Sequence, residues 1–286
     1  MGSKMKNFVV RALSGAVLLV VVLGAILWSK WSFGALLLLI TLGGEWEFYR
    51  MAQKAGYSPQ RFLGLAAGAA IVAAAFVLMW LLNEQSLQML YVRVMVGLLL
   101  YFMVLVPTMF ICELYRKSPT PIANIGATLT GVVYVAMPMA LLYFIPLLLS
   151  GGEWRPWVLL FYIFIIWAND VFAYLFGVTI GRHRLFERIS PKKSWEGFFG
   201  GLLGAMAMGY VAAQVVDGNC AMWIGMALIA ALTGVFGDLV ESLFKRSVDV
   251  KDSGNILPGH GGWLDRFDAL ILSIPFVFVY LVLWMN

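Results

Sequence analysis

Runs of about 20 apolar residues recur from one end of this 286-residue chain to the other, and no other feature constrains its fold as strongly. A helix of that length crosses a hydrocarbon core of roughly 30 Å, and it satisfies its own backbone N–H and C=O groups where lipid offers no partner. Nine such runs are read, at Val9 to Trp28, Trp31 to Phe48, Phe62 to Leu82, Met89 to Cys112, Ile122 to Leu149, Trp157 to Ile180, Gly197 to Val216, Ala221 to Phe244 and Ala269 to Met285. The expected fold class is therefore all-α, a polytopic integral membrane protein with about nine transmembrane helices. Composition agrees, since 62% of residues are hydrophobic and 12% charged, far from the averages of soluble domains. The first run has a basic flank like a signal peptide, but it leads straight into a second run and is read as retained.

Lys and Arg residues near span ends stay on the cytoplasmic side of a membrane, so their distribution predicts orientation. With the N-terminus cytoplasmic, seventeen of the 20 fall on one side, from Lys4 to Arg266, and only Lys30, Arg93 and Arg155 on the other. The net charge of +5 thus resides mostly in membrane-flanking loops, where topology and anionic head groups explain it, and no nucleic-acid partner is expected. The only cysteines, Cys112 and Cys220, lack the spacing of a disulfide framework or zinc site and read as small buried thiols.

Residues 1–155 are nearly all span and short connection and read as a transmembrane scaffold region. Glu45 and Glu47, in GGEWEFYR, are the exception, and are read as solvated or snorkelling carboxylates in preference to a substrate role. From residue 156 to 286 polar groups enter the spans, and this part reads as the catalytic region of one integrated membrane domain. Asp170 is the deepest ionisable group, and such groups are costly in lipid unless they meet a partner or a polar cavity. Gly197, Gly200, Gly201 and Gly204 line one helical face, which predicts close helix packing.

Two stretches carry chemistry. SPKKSWEG, Ser190 to Gly197, is similar to a phosphate loop in its Lys193-Ser194 pair, but the glycines of a Walker motif are missing and no strand is predicted. Lysines, a hydroxyl and a helix N-terminus can still bind phosphate, although a plain basic loop has the same composition. The second stretch, Gly237 to Ala269, puts Asp238 and Glu241 three residues apart with Lys245 four further on, and repeats the spacing at Asp265 and Asp268. Carboxylates so spaced, beside Arg246, Lys251 and Arg266, suit a magnesium ion shared with a triphosphate, while an ion-pair network is the structural alternative. In LPGHGGW, Gly259, Gly261 and Gly262 allow close backbone approach to a ligand, and His260 can exchange a proton near neutral pH or simply stabilise a turn.

Ser242, Lys245, Arg246, Lys251, Asp252, Gly254, Leu257, Pro258, His260, Gly261, Gly262, Asp265, Arg266 and Asp268 together resemble the long signature of the phosphatidate cytidylyltransferases, also called CDP-diacylglycerol synthases. Trp263 is bulkier than the aliphatic residue of that pattern. The resemblance implies cytidylyl transfer from CTP to phosphatidate, giving CDP-diacylglycerol and pyrophosphate. It further implies one or two metal ions, Mg2+ by default, on Asp238, Asp265 and Asp268, with Glu241 and Asp170 as weaker ligands. Lys193, Ser194, Lys245, Arg246, Lys251 and Arg266 would bind phosphates, and His260 would orient phosphate or relay a proton. The implied partners are CTP, phosphatidate and membrane lipids, at the cytoplasmic face of a bacterial inner membrane, and the sequence leaves a homodimer open. A CTP-dependent lipid kinase and an ion or lipid transporter are the competing readings; the first would release CDP, and the second would need no nucleotide.

Overall fold

The structure is a computed structural model that describes residues 3–81, 87–256, 259 and 261–285, the side chains of 3–8, 10, 11, 80, 81 and 87–91 apart. It contains α1 (Ser3–Trp28), α2 (Lys30–Lys54), α3 (Arg61–Leu81), α4 (Leu87–Arg116), α5 (Pro121–Gly131), α6 (Met137–Leu142), α7 (Ile145–Leu149), α8 (Pro156–Thr179), α9 (Trp195–Val215), α10 (Cys220–Ser247) and α11 (Leu264–Met285). Over the described residues each expected span falls mainly on helix, and Leu82, the expected end of the third, lies outside them. Among the described residues, seven helical segments are long and apolar enough to cross a membrane, and α1 adds a shorter apolar stretch, Ala12–Trp28.

Two departures from the expected helices have local causes. The fifth span is interrupted: α5 passes through a π-helical stretch, Val132–Ala136, into α6, and a turn at Tyr143 and Phe144 precedes α7. Pro138 and Pro146 supply no N–H to the preceding turns, which loosens the helical ladder just upstream of each. The second departure is a strand pair where none was predicted. β1 (Arg184–Phe186) and β2 (Ser190–Ser194) pair antiparallel, with Arg184 opposite Ser194 and Phe186 opposite Ser190. Strands of three and five residues are too short to show alternation in sequence, and a two-stranded ribbon tolerates Pro191 because a strand there has an unpaired edge.

The chain forms two compact units, and neither is a single stretch of sequence. The first comprises residues 1–144 and 247–266, the second residues 145–246 and 267–286. In the first unit, Tyr49 of α2 donates its hydroxyl to the Thr128 carbonyl at 2.9 Å, and Gly64 and Gly131 leave room for its ring. A buried polar node ties the connections together: Glu113 accepts from Gln60 at 2.5 Å, Asn124 at 2.9 Å and Arg116 at 2.9 Å. Glu45 and Glu47 are 0% and 1% exposed, so the solvated reading of both is wrong. Each lies on the inner face of α2, and a side chain at Gly68 of α3 would collide with Glu45.

In the second unit α8 and α9 pack through the expected glycine face. A Cβ on Gly201 would stand 2.6 Å from Asn169 Oδ1 and 2.9 Å from the Asn169 carbonyl oxygen, and backbone cannot swing aside as a side chain can. Gly201→Leu is therefore expected to lower the Tm of detergent-purified protein, overpacking costing about 1–3 kcal/mol. Gly97→Leu, at a position with no neighbouring atom within 4 Å among the described residues, is the matched control and should not lower the Tm. The Tyr162 and Ser273 hydroxyls, 2.7 Å apart, join α8 to α11, and Tyr280 donates to the Met222 carbonyl of α10 at 3.1 Å.

Candidate active site

The second unit gathers most of the ionisable residues singled out in the sequence. Asp238 and Glu241 lie one turn apart on α10, and Asp268 follows in the second turn of α11; one carboxylate oxygen from each lies within 4.8 Å of the other two. Gly237 allows this, since a Cβ there would run into the Asp268 carbonyl. Glu241 is fully buried, while Asp238 is half-buried. The side chain of Asp268 is held from below, its Oδ1 accepting from the Ala269 N–H at 2.7 Å.

Two cations face these carboxylates. Lys193 Nζ lies 2.6 Å from Asp238 Oδ2 and 3.4 Å from the Val235 carbonyl oxygen, and Lys245 pairs with Glu241 one helical turn away. The hairpin delivers Lys193, which is half-buried where its neighbour Lys192 is exposed. Ser194 is buried and caps α9, its Oγ accepting from the Gly197 N–H at 3.1 Å, while the Trp195 N–H bonds the His183 carbonyl at 2.9 Å. The hydroxyl expected to meet phosphate thus anchors the strand–helix junction beside Lys193. Asp170 of α8 lies within electrostatic reach of both Asp238 and Lys193.

Three carboxylates so close together repel one another when ionised, and with Asp170 they outnumber the two lysines. Hard oxygen donors in that arrangement fit a divalent cation such as Mg2+, which is usually held by one or two carboxylates together with substrate phosphates.

The first unit contains the rest of the long motif. Lys251 and Arg266 are exposed there, and Arg246 is exposed near the end of α10 in the second unit; His260, Leu257 and Pro258 lie outside the described residues. Asp265 is engaged by its own loop: its Oδ2 accepts from the Ser253 N–H at 2.9 Å, the Ser253 hydroxyl at 2.9 Å and the Gly262 N–H at 2.7 Å. Gly261, at a φ of +83°, and Gly259, at +74°, occupy the left-handed region that the turn requires. Two residues that hold this loop were not assigned to it from the sequence: Ser253, and Glu47 of α2, which accepts from the Ser253 hydroxyl and the Trp263 and Leu264 N–H groups. The signal for Glu47 was present, because a carboxylate within an apolar run is costly and needs partners.

Comparison with known proteins gives a consistent result. A model of the cytidylyltransferase family matches residues 9–284. A phosphatidate cytidylyltransferase of Staphylococcus aureus is 48% identical over 126 residues, which is 43% of this chain and 48% of that protein. The enzyme of the same name from Rickettsia bellii is 36% identical over 185 residues, 62% of this chain and 77% of the relative. The match thus spans about half the length of the staphylococcal relatives and over three quarters of the rickettsial one.

Proposed function

Because this chain belongs to the cytidylyltransferase family, with multiple membrane-spanning helices, we propose that it transfers a cytidylyl group from CTP to phosphatidate, yielding CDP-diacylglycerol and pyrophosphate. The observation that carries the reading is the Asp238, Glu241 and Asp268 cluster with Lys193 and Lys245 against it, since it combines a cation site with phosphate-binding charge. In this reaction an oxygen of the lipid phosphate attacks the α-phosphorus of CTP, and the bond from that phosphorus to the bridging oxygen breaks as pyrophosphate leaves. Both reactants are anions, so catalysis is mainly positioning and charge stabilisation, and a covalent nucleophile is unnecessary.

A Mg2+ ion held by Asp238, Glu241 and Asp268, with Asp170 nearby, would neutralise triphosphate charge when bound. Lys193 serves as a phosphate ligand whose pairing with Asp238 keeps it extended and ready, and Ser194 fixes the backbone from which it projects. Lys245, Arg246, Lys251 and Arg266 bind the remaining phosphate oxygens, and His260 orients phosphate or relays a proton. Asp265 shapes the loop that carries Lys251, an assignment supported by its three donors from Ser253 and Gly262. We assign the site to the cytoplasmic side of a bacterial inner membrane, a reading supported by the seventeen-to-three bias of basic residues and by the need for CTP to reach a lipid head group.

The test incubates the purified chain with phosphatidate, Mg2+ and CTP labelled separately in its α- and γ-phosphates. The expected result is α-label in chloroform-soluble lipid and γ-label in pyrophosphate. γ-Label in an added polyprenol, with CDP released, would replace this function with a kinase activity.

A further inference from the structure

We infer that Glu47 is a positioning residue: its buried carboxylate on α2 holds Ser253, Trp263 and the start of α11 in the conformation that presents Lys251 and Arg266. The bearing on turnover rests on the function proposed above. Glu47 Oε1 accepts from the Trp263 N–H at 3.0 Å, and Oε2 accepts from the Leu264 N–H at 3.0 Å and the Ser253 hydroxyl at 2.9 Å. The first N–H groups of a helix have no partner within it, and a carboxylate there also meets the positive end of the helix dipole. Most helices obtain this cap from the residue just before them. Here α11 receives it from a side chain more than two hundred positions earlier, so the cap also fastens the loop to α2.

The loop is built to approach that carboxylate. A side chain at Gly254 or Gly262 would collide with Glu47, and one at Gly43, a turn earlier on α2, would collide with the Trp263 indole. Two glycines of the motif therefore make room for a protein carboxylate rather than a ligand, and Gly43 accommodates the unusually large Trp263. Ser253 links the two acids of the loop, because its single hydroxyl lies 2.9 Å from both Glu47 Oε2 and Asp265 Oδ2. With one proton it can donate to only one of them at a time, so the knot depends on the backbone donors as well. An amide in place of the Glu47 carboxylate would set an NH2 group against an N–H and lose an acceptor where burial leaves no water to replace it.

The experiment compares wild type, Glu47→Gln and Glu45→Gln. Glu45 is equally buried on the same helix, but neither oxygen has a hydrogen-bond partner among the described residues, so the same substitution there controls for a general effect on α2. Two readouts are taken on protein in detergent: hydrogen exchange over residues 251–264 without substrate, and kcat and KM for cytidylyl transfer. The expected result for Glu47→Gln is at least about tenfold faster exchange in that loop and a kcat lower by about 10- to 100-fold, the scale of removing an orienting partner, with Glu45→Gln unchanged in both. Adding Ser253→Ala to Glu47→Gln should cost less than the product of the single effects, because both act on one knot. Unchanged exchange in Glu47→Gln, faster exchange with an unchanged kcat, or equal effects from Glu45→Gln would each overturn the inference. Exchange is read without substrate, so a wild-type chain with no transfer activity would defeat the proposed function while the exchange comparison still decides whether Glu47 holds the loop.

Discussion

Asp268→Asn should purify with a Tm no lower than wild type, turn over at least about 10^3-fold more slowly, and need a higher Mg2+ concentration for half-maximal rate. The folded state should survive because the asparagine Oδ1 keeps the bond from the Ala269 N–H that now holds the aspartate. Stability should even benefit slightly, since one of three mutually repelling carboxylates becomes neutral. Turnover should not survive, because a cation between Asp238, Glu241 and Asp268 loses a charged ligand at the point where triphosphate charge must be neutralised. A threefold drop with an unaltered Mg2+ requirement would remove Asp268 from the metal site.

Lys193→Met should lower kcat by about 10^2- to 10^3-fold, the scale expected when one electrostatic partner of the reacting group is lost. Its effect on Mg2+ should have the opposite sign. Lys193 Nζ occupies Asp238 Oδ2 at 2.6 Å and so competes with any cation for that carboxylate; without it the half-saturating Mg2+ concentration should fall. The two variants together therefore separate ligand from competitor: one slow enzyme that binds the ion weakly and one that binds it tightly. If Lys193→Met raised the half-saturating Mg2+ concentration, as Asp268→Asn should, the lysine would have to act by shaping the cluster rather than by balancing its charge.

How much of this was legible in the sequence depended on whether a feature is local. Asp238 and Glu241 could be assigned to one face because three residues make nearly one helical turn. That Asp268 joins them while Asp265, three residues earlier, is bonded by Ser253 and Gly262 could not be read from their repeated spacing. Spacing reports angle around a helix axis, and it says nothing of what the first turn of that helix faces. Lys193 was singled out for its charge, yet the strand that carries it is too short to leave a periodic trace. Glu47 was misjudged for the same kind of reason. Its position near the end of an apolar run suits a snorkelling carboxylate, and its three donors lie on segments far away in the chain.

The sequence by itself determined the helical, many-span character, because lipid permits no unpaired backbone and about 20 apolar residues must therefore coil into a crossing helix. It also determined the family, through a run of charged and glycine residues whose order is hard to produce by chance. Only the tertiary structure decided which carboxylates lie together, which serine caps a helix, and which glutamate fastens the loop. Those outcomes depend on contacts between distant segments, where a glycine's missing side chain or a single hydrogen-bond donor sets the distance.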